Sequence, residues 1–320
     1  MNKKCLYCYK RLEKNDLDFH AKCLADFFGT AEPPAFDYSL SDMVELAKNV
    51  VERHISVPGV QPKLSLGLVK VAVGKQLKTD RLTVVGALGG NYIFKPPSDR
   101  FPEMPENEHL TMRMAEAFGI PTVDSSLIRL KSGELSYITR RIDRTASGEK
   151  IHMLDMFQIT GAVDKYKSSM EKIAAAVKSY SDNTLLDCLR FFELSLFSFL
   201  TGNNDMHLKN FSMITRENKW FLAPAYDLLN STIANPEDKE ELALTLDAKK
   251  SRLTKRDFEN LGQRLELNIR QIIKTFDRFL DKKPLALTWI KQSFLSPAYK
   301  EKYRLLLLAR YNRIYKARQP

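Results

Sequence analysis

The chain has 320 residues, of which 44% are hydrophobic and 10% aromatic, and carries a formal net charge of +11. That is enough apolar material for a full core, so one bilobal domain with an appendage is expected. The apolar runs are short or interrupted, as in Leu194-Ser195-Leu196-Phe197-Ser198-Phe199-Leu200, below the roughly 20 residues of a membrane span, and no apolar signal core follows Lys3-Lys4, so a cytoplasmic protein with no membrane partner is expected.

Only four cysteines occur, three of them in the first 23 residues. Cys5-Leu6-Tyr7-Cys8 and His20-Ala21-Lys22-Cys23 form two close pairs that can close a tetrahedron around zinc, a site that would be structural because four ligands leave no open position. The alternative is reduced, partly buried thiols. Residues 1–30 are thus read as a zinc-finger-like segment, and residues 31–54 as a linker with Pro33-Pro34 and a helix from about Asp42 to Arg53, striped by Met43, Leu46, Val50 and Val51.

Residues 55–145 are expected to form a β-rich nucleotide-binding lobe, with strands at Lys63–Val73, Leu82–Val85, Asn91–Lys95 and Leu135–Thr139. A helix from about Pro105 to Phe118 is stopped by Gly119 and Pro121. Residues 146–320 read as a helical catalytic lobe with a notably apolar helix from Leu185 to Leu200. Strands followed by helices predict an α+β fold. Lys249, Lys250, Lys255, Arg256, Arg310, Arg313, Lys316 and Arg318 place much of the positive charge in the last quarter. Such a surface either attracts polyanions, nucleic acid among them, or is simply a solvated helical face.

The stretch Gly202-Asn203-Asn204-Asp205-Met206-His207-Leu208-Lys209-Asn210-Phe211-Ser212, followed by Ala223-Pro224-Ala225-Tyr226-Asp227, carries the chemistry. Gly202 ends the apolar helix and frees a loop holding Asp205 and Asn210. Strands at Phe211–Ile214 and Trp220–Leu222, joined by a polar turn, would bring Asp227 back beside Asn210. Phosphoryl transfer from ATP needs one carboxylate to accept the acceptor hydroxyl's proton, and an amide oxygen and a second carboxylate to hold magnesium. Asp205 suits the first role; Asn210 and Asp227 suit the second. His207 and Lys209 flank them and could touch phosphate, with a structural role the alternative for His207. Upstream, Gly59 in Ser56-Val57-Pro58-Gly59-Val60-Gln61-Pro62-Lys63 lets backbone approach phosphate, with Lys63 adding charge. Lys95 closes the strand Tyr92-Ile93-Phe94 and can pair with phosphates; Glu106 and Glu108 are both candidates to position it.

Taken in order, GVQPKLS, YIFKP, PENEHL, TRRIDR, Asp155-Met156-Phe157-Gln158, GNNDMHLKNFS and APAYDLLNS resemble the HipA family of toxin kinases over about residues 55–235. The resemblance implies a bilobal, protein-kinase-like fold with a phosphatidylinositol-kinase flavour. On it, Pro58, Gly59, Val60, Gln61 and Lys63 belong to the nucleotide loop, Lys95 binds phosphate, and Arg140, Arg141 and Ile142 form the adenine-side hinge. Asp205 is the proton acceptor, His207, Lys209 and Asn210 line ATP, and Tyr226 and Asp227 complete the metal side. Ser56 matches an inhibitory autophosphorylation position, where a dianion would repel nucleotide. The short segment before the loop looks more like the HipT kinases, whose N-terminal subdomain is a separate protein. Implied partners are that protein, a DNA-binding antitoxin, and an aminoacyl-tRNA synthetase as substrate. A small-molecule phosphotransferase and a non-catalytic, zinc-dependent nucleic-acid-binding module are the alternatives.

Overall fold

The computed structural model describes residues 3–14, 16–43, 45–46, 63–73, 77–85, 89–145 and 147–315. The chain divides into two compact units, residues 1–109 with 123–150 and residues 110–122 with 151–320.

The first unit is built on a five-stranded antiparallel sheet in the order β2-β1-β3-β5-β4, from β1 (Leu64–Val73), β2 (Leu77–Val85), β3 (Tyr92–Lys95), β4 (Ser125–Arg129) and β5 (Leu135–Arg140). In the short central β3, Phe94 lies opposite Leu64 on one side and Ile138 on the other, and all three are buried. Two strands differ from the sequence reading. β2 starts at Leu77 rather than Leu82, because Lys78-Thr79-Asp80-Arg81 pairs through its backbone along β1 despite its polar side chains. β4 was not expected, since it opens with two serines; both are buried, and the Ser126 hydroxyl is satisfied by donating to the Leu127 carbonyl. Of the helix expected from Asp42, residues 40–43 and 45–46 are helical, and the remainder lies outside the described residues.

The N-terminal Cys/His segment, with α1 (Ala21–Phe27), is tied into this sheet. The Leu127 amide donates to the Leu6 carbonyl at 3.3 Å, and the Arg129 guanidinium forks onto the Asp18 carboxylate at 3.0–3.3 Å. Phe27 and Phe28 pack on Tyr92 with ring centroids 5.8 and 5.9 Å apart.

At the centre of the second unit lies α5 (Thr184–Thr201), whose stretch from Phe191 to Thr201 is buried at every position and therefore stable only when surrounded. Around it pack α4 (Met170–Tyr180), α7 (Lys255–Arg264) and α10 (Pro297–Tyr315). A three-stranded antiparallel sheet, β6 (Met153–Asp155), β7 (Ser212–Arg216) and β8 (Lys219–Leu222), completes the unit. Glu217 and Asn218 both have positive φ in the two-residue turn joining β7 to β8, a geometry matched to strand twist. The fully buried Asp187 of α5 accepts from the Leu222 amide and the Ser181 hydroxyl, both at 2.7 Å, which fixes the hairpin to the helix.

Much of the C-terminal positive charge is spent internally. Lys249 pairs with Asp257, Lys250 with Glu240, Lys255 with Glu259, and the buried Arg310 together with Arg313 with Glu241. Lys316 and Arg318 lie outside the described residues. Among the described residues no helix is long and apolar enough to cross a membrane.

Candidate active site

In the second unit, α5 ends on Gly202 in the left-handed region, at φ 73°. A Cβ there would lie 2.9 Å from the Asn230 amide oxygen and closer still to Leu306, so only glycine lets the chain leave the helix at this point. The loop that follows is locked from below by α6 (Ser231–Ala234): the Gly202 carbonyl accepts from the Thr232 amide and hydroxyl, and the Asn204 amide donates to the Ser231 hydroxyl at 2.7 Å.

The loop then closes on itself. The His207 amide donates to the Asp205 carbonyl at 2.8 Å, the Asn210 amide to the His207 carbonyl at 2.9 Å, and the Asn210 side-chain nitrogen to the Asp205 carbonyl at 2.9 Å. That last bond occupies the nitrogen end of the Asn210 amide, so its oxygen is the end suited to a cation. His207 and Asn210 are buried, Asp205 is half-buried, and Lys209 is exposed with its ammonium over the Phe157 ring.

The hairpin returns the chain to the same place. The Ala223 amide pairs with the Ser212 carbonyl at 2.8 Å, and the Tyr226 hydroxyl contacts the Lys209 carbonyl at 3.0 Å and the Ser212 hydroxyl. Burial raises the Tyr226 hydroxyl well above its usual range, so it remains a donor. Asp227 follows with φ 55°, an uncommon conformation for a non-glycine residue that marks a sharply turned site. Sequence reasoning overlooked two residues here: the Tyr166 hydroxyl donates to the Asp205 carboxylate at 2.9 Å, and the Lys165 ammonium donates to His207 Nε2 at 2.9 Å. They come from a loop 39 and 42 residues away in sequence, and no local pattern announces them.

In the first unit, Lys95 at the end of β3 is buried and its ammonium sits 2.6 Å from Glu108 Oε1. That selects Glu108 over Glu106 as the lysine's partner. Glu106, on the same helix α2 (Met104–Ala117), is instead pushed up to about 7 by burial. Lys63 stands exposed just before β1. Arg140 donates to the Phe27 carbonyl at 2.8 Å and the Asp26 carbonyl at 3.1 Å, at the end of α1. Arg141 forks onto Asp143 at 2.7 and 2.9 Å, and Ile142 beside it is half-buried. Burial alone would raise the Asp143 carboxyl, but Arg141 and Arg144 outweigh it and hold it below its ordinary value. Ser56, Pro58, Gly59, Val60 and Gln61 lie outside the described residues.

The Cys/His set is gathered as its spacing predicts. The ligand atoms of Cys5, Cys8, His20 and Cys23 all lie within 4.8 Å of one another, with His20 Nδ1 3.4 Å from Cys8 Sγ and 3.7 Å from Cys23 Sγ. Tetrahedral zinc with sulfur ligands needs ligand separations of about 3.8 Å, so the set fits the ion. His20 Nε2 donates to the Arg11 carbonyl at 2.9 Å, which turns Nδ1 toward the sulfurs.

Comparison with known proteins agrees with this fold. The description "HipA-like C-terminal domain" matches residues 55–285. The chain is 27% identical over 292 residues to a Haemophilus influenzae protein named "Putative kinase", covering 82% of each chain. It is 26% identical over 215 residues to the serine/threonine-protein kinase toxin HipA of Shewanella oneidensis, covering 60% of this chain and 47% of the toxin. A solved structure of the Shewanella oneidensis toxin–antitoxin system, HipA with HipB and operator DNA, superposes with a TM-score of 0.66 at 19% identity over 95% of this chain and 75% of that one. The fold is therefore a mixed, kinase-like α/β fold, and the chain belongs to the HipA-like C-terminal domain family.

Proposed function

We propose that this protein is an ATP- and magnesium-dependent serine/threonine protein kinase of the HipA toxin type. The observation that carries the reading is the closed loop in which Asn210 clasps the Asp205 backbone while Tyr226 ties the segment bearing Asp227 to Lys209 and Ser212. In this reading Asp205 orients the acceptor hydroxyl and takes its proton. The Asn210 oxygen and the Asp227 carboxylate would hold magnesium, whose charge offsets that on the phosphates. Lys95, kept by Glu108, pairs with phosphate oxygens, and His207 and Lys209 line the nucleotide. Residues 58–63 are assigned to the nucleotide loop, and Arg140 to Ile142 to the adenine-side hinge.

The four ligands Cys5, Cys8, His20 and Cys23 hold structural zinc in the same proposal. Ser56 is the proposed autophosphorylation site. An aminoacyl-tRNA synthetase is the proposed substrate, and a DNA-binding antitoxin the proposed partner, in keeping with the HipB and operator DNA of the Shewanella oneidensis complex. Incubating the protein with γ-labelled ATP and total cell lysate, then identifying the labelled acceptor, tests activity and substrate together. Label in a protein acceptor supports the proposal; label only in small molecules points to the phosphotransferase alternative.

A further inference from the structure

The segment between α3 (Met156–Ile159) and α4 is a built loop. The Tyr166 amide donates to the Asp164 carboxylate at 2.9 Å, the Lys165 carbonyl accepts from the Leu208 amide at 3.2 Å, and Ser169 caps α4 by accepting from the Lys172 amide. It therefore lies along the loop that carries Asp205 and His207, joined to it by one backbone bond and two side-chain bonds. The Tyr166 ring meets His207 edge-on at 5.0 Å, and the Lys165 ammonium stands 4.9 Å from the Tyr166 ring centroid.

From this arrangement we infer that Tyr166 is a positioning residue for phosphoryl transfer, holding the Asp205 carboxylate through Oδ1 so that its other oxygen can receive the proton of the acceptor hydroxyl. The inference rests on the kinase reading. In the step it serves, the acceptor oxygen bonds to phosphorus, the bond between phosphorus and the ADP oxygen breaks, and the hydroxyl proton passes to Asp205. Tyr166 is neither consumed nor ionised. Burial, the adjacent Asp205 charge, and Asp164 and Asp238 beyond it all raise its hydroxyl above the ordinary value, so it stays a donor across the physiological range. Its 40% exposure leaves room for an acceptor to approach. A carboxylate at a loop surface has several rotamers, and a fixed donor selects one of them. Selection of this kind pre-organises the base and acts on turnover rather than on nucleotide affinity.

The test is Tyr166→Phe, which keeps the ring against His207 and deletes only the hydroxyl. Initial rates of label transfer from γ-labelled ATP to the acceptor found in a lysate fraction would be compared with those of wild type and Asp205→Asn across a series of ATP concentrations. The expected result is a kcat lowered about 10-fold with KM for ATP unchanged. A merely structural tyrosine would not lower kcat while leaving KM unchanged. If wild type transfers label and Asp205→Asn does not, while Tyr166→Phe matches wild type in kcat, the positioning role is wrong and the kinase reading stands. If wild type transfers nothing, or Asp205→Asn retains activity, both fall together.

Discussion

The Lys95 ammonium lies 2.6 Å from Glu108 Oε1, with both side chains at least 95% buried. Removing one member of a desolvated ion pair takes the closest counter-charge from the other, at a cost of about 3–5 kcal/mol. Lys95→Met should therefore lower stability by that amount in denaturant melts. Lys95→Met combined with Glu108→Gln should recover much of it, although both variants should fail to transfer phosphate. A single variant as stable as wild type would show that the pair is not desolvated as described.

Glu106, the other acid considered for Lys95, makes stability depend on pH. Burial lifts its carboxyl from 4.5 to about 7, so the folded protein holds a proton that the unfolded chain releases between those values. Its contribution is fully present below pH 4.5 and is lost as pH rises to 7, a fall of at most roughly 3 kcal/mol. Glu106→Gln should flatten that part of the stability–pH curve and stabilise the protein above pH 7. Parallel curves for wild type and variant would contradict the assignment.

Metal removal should act through the sheet. Cys23 lies in α1, and the carbonyls ending α1 hold Arg140 at the end of β5. Mass analysis should find one zinc per chain in wild type and none in Cys5→Ser/Cys8→Ser. Chelation should lower the melting temperature and weaken ATP binding together. A zinc-free wild type would end the metal assignment, and zinc loss without effect on ATP binding would uncouple the segment from Arg140.

The legible parts of this molecule were those written locally. The apolar run of α5, Gly202 at its end and the two Cys/His pairs each combine composition with punctuation, and each stands where the sequence puts it, whereas the polar turn expected over Thr215–Lys219 tightens to Glu217-Asn218 because Thr215, Arg216 and Lys219 pair within the strands. What stayed hidden depends on distant parts of the chain. β6 is three residues long, shows no periodicity, and exists because Met153–Asp155 finds β7 as a partner. Glu106 and Glu108 are two residues apart on one helix, and only the packing of α2 decides which of them meets Lys95. Tyr166 and Lys165 reach Asp205 and His207 across about 40 residues, a juxtaposition that spacing does not encode.

In the proposed mechanism Asp205 acts in phosphate transfer and not in holding the nucleotide. Its most direct test measures magnesium-ATP affinity and γ-phosphate incorporation on the same preparations of wild type and Asp205→Asn. Equal affinity with incorporation reduced at least 100-fold in the variant is the expected result. Incorporation that survives the substitution would contradict it.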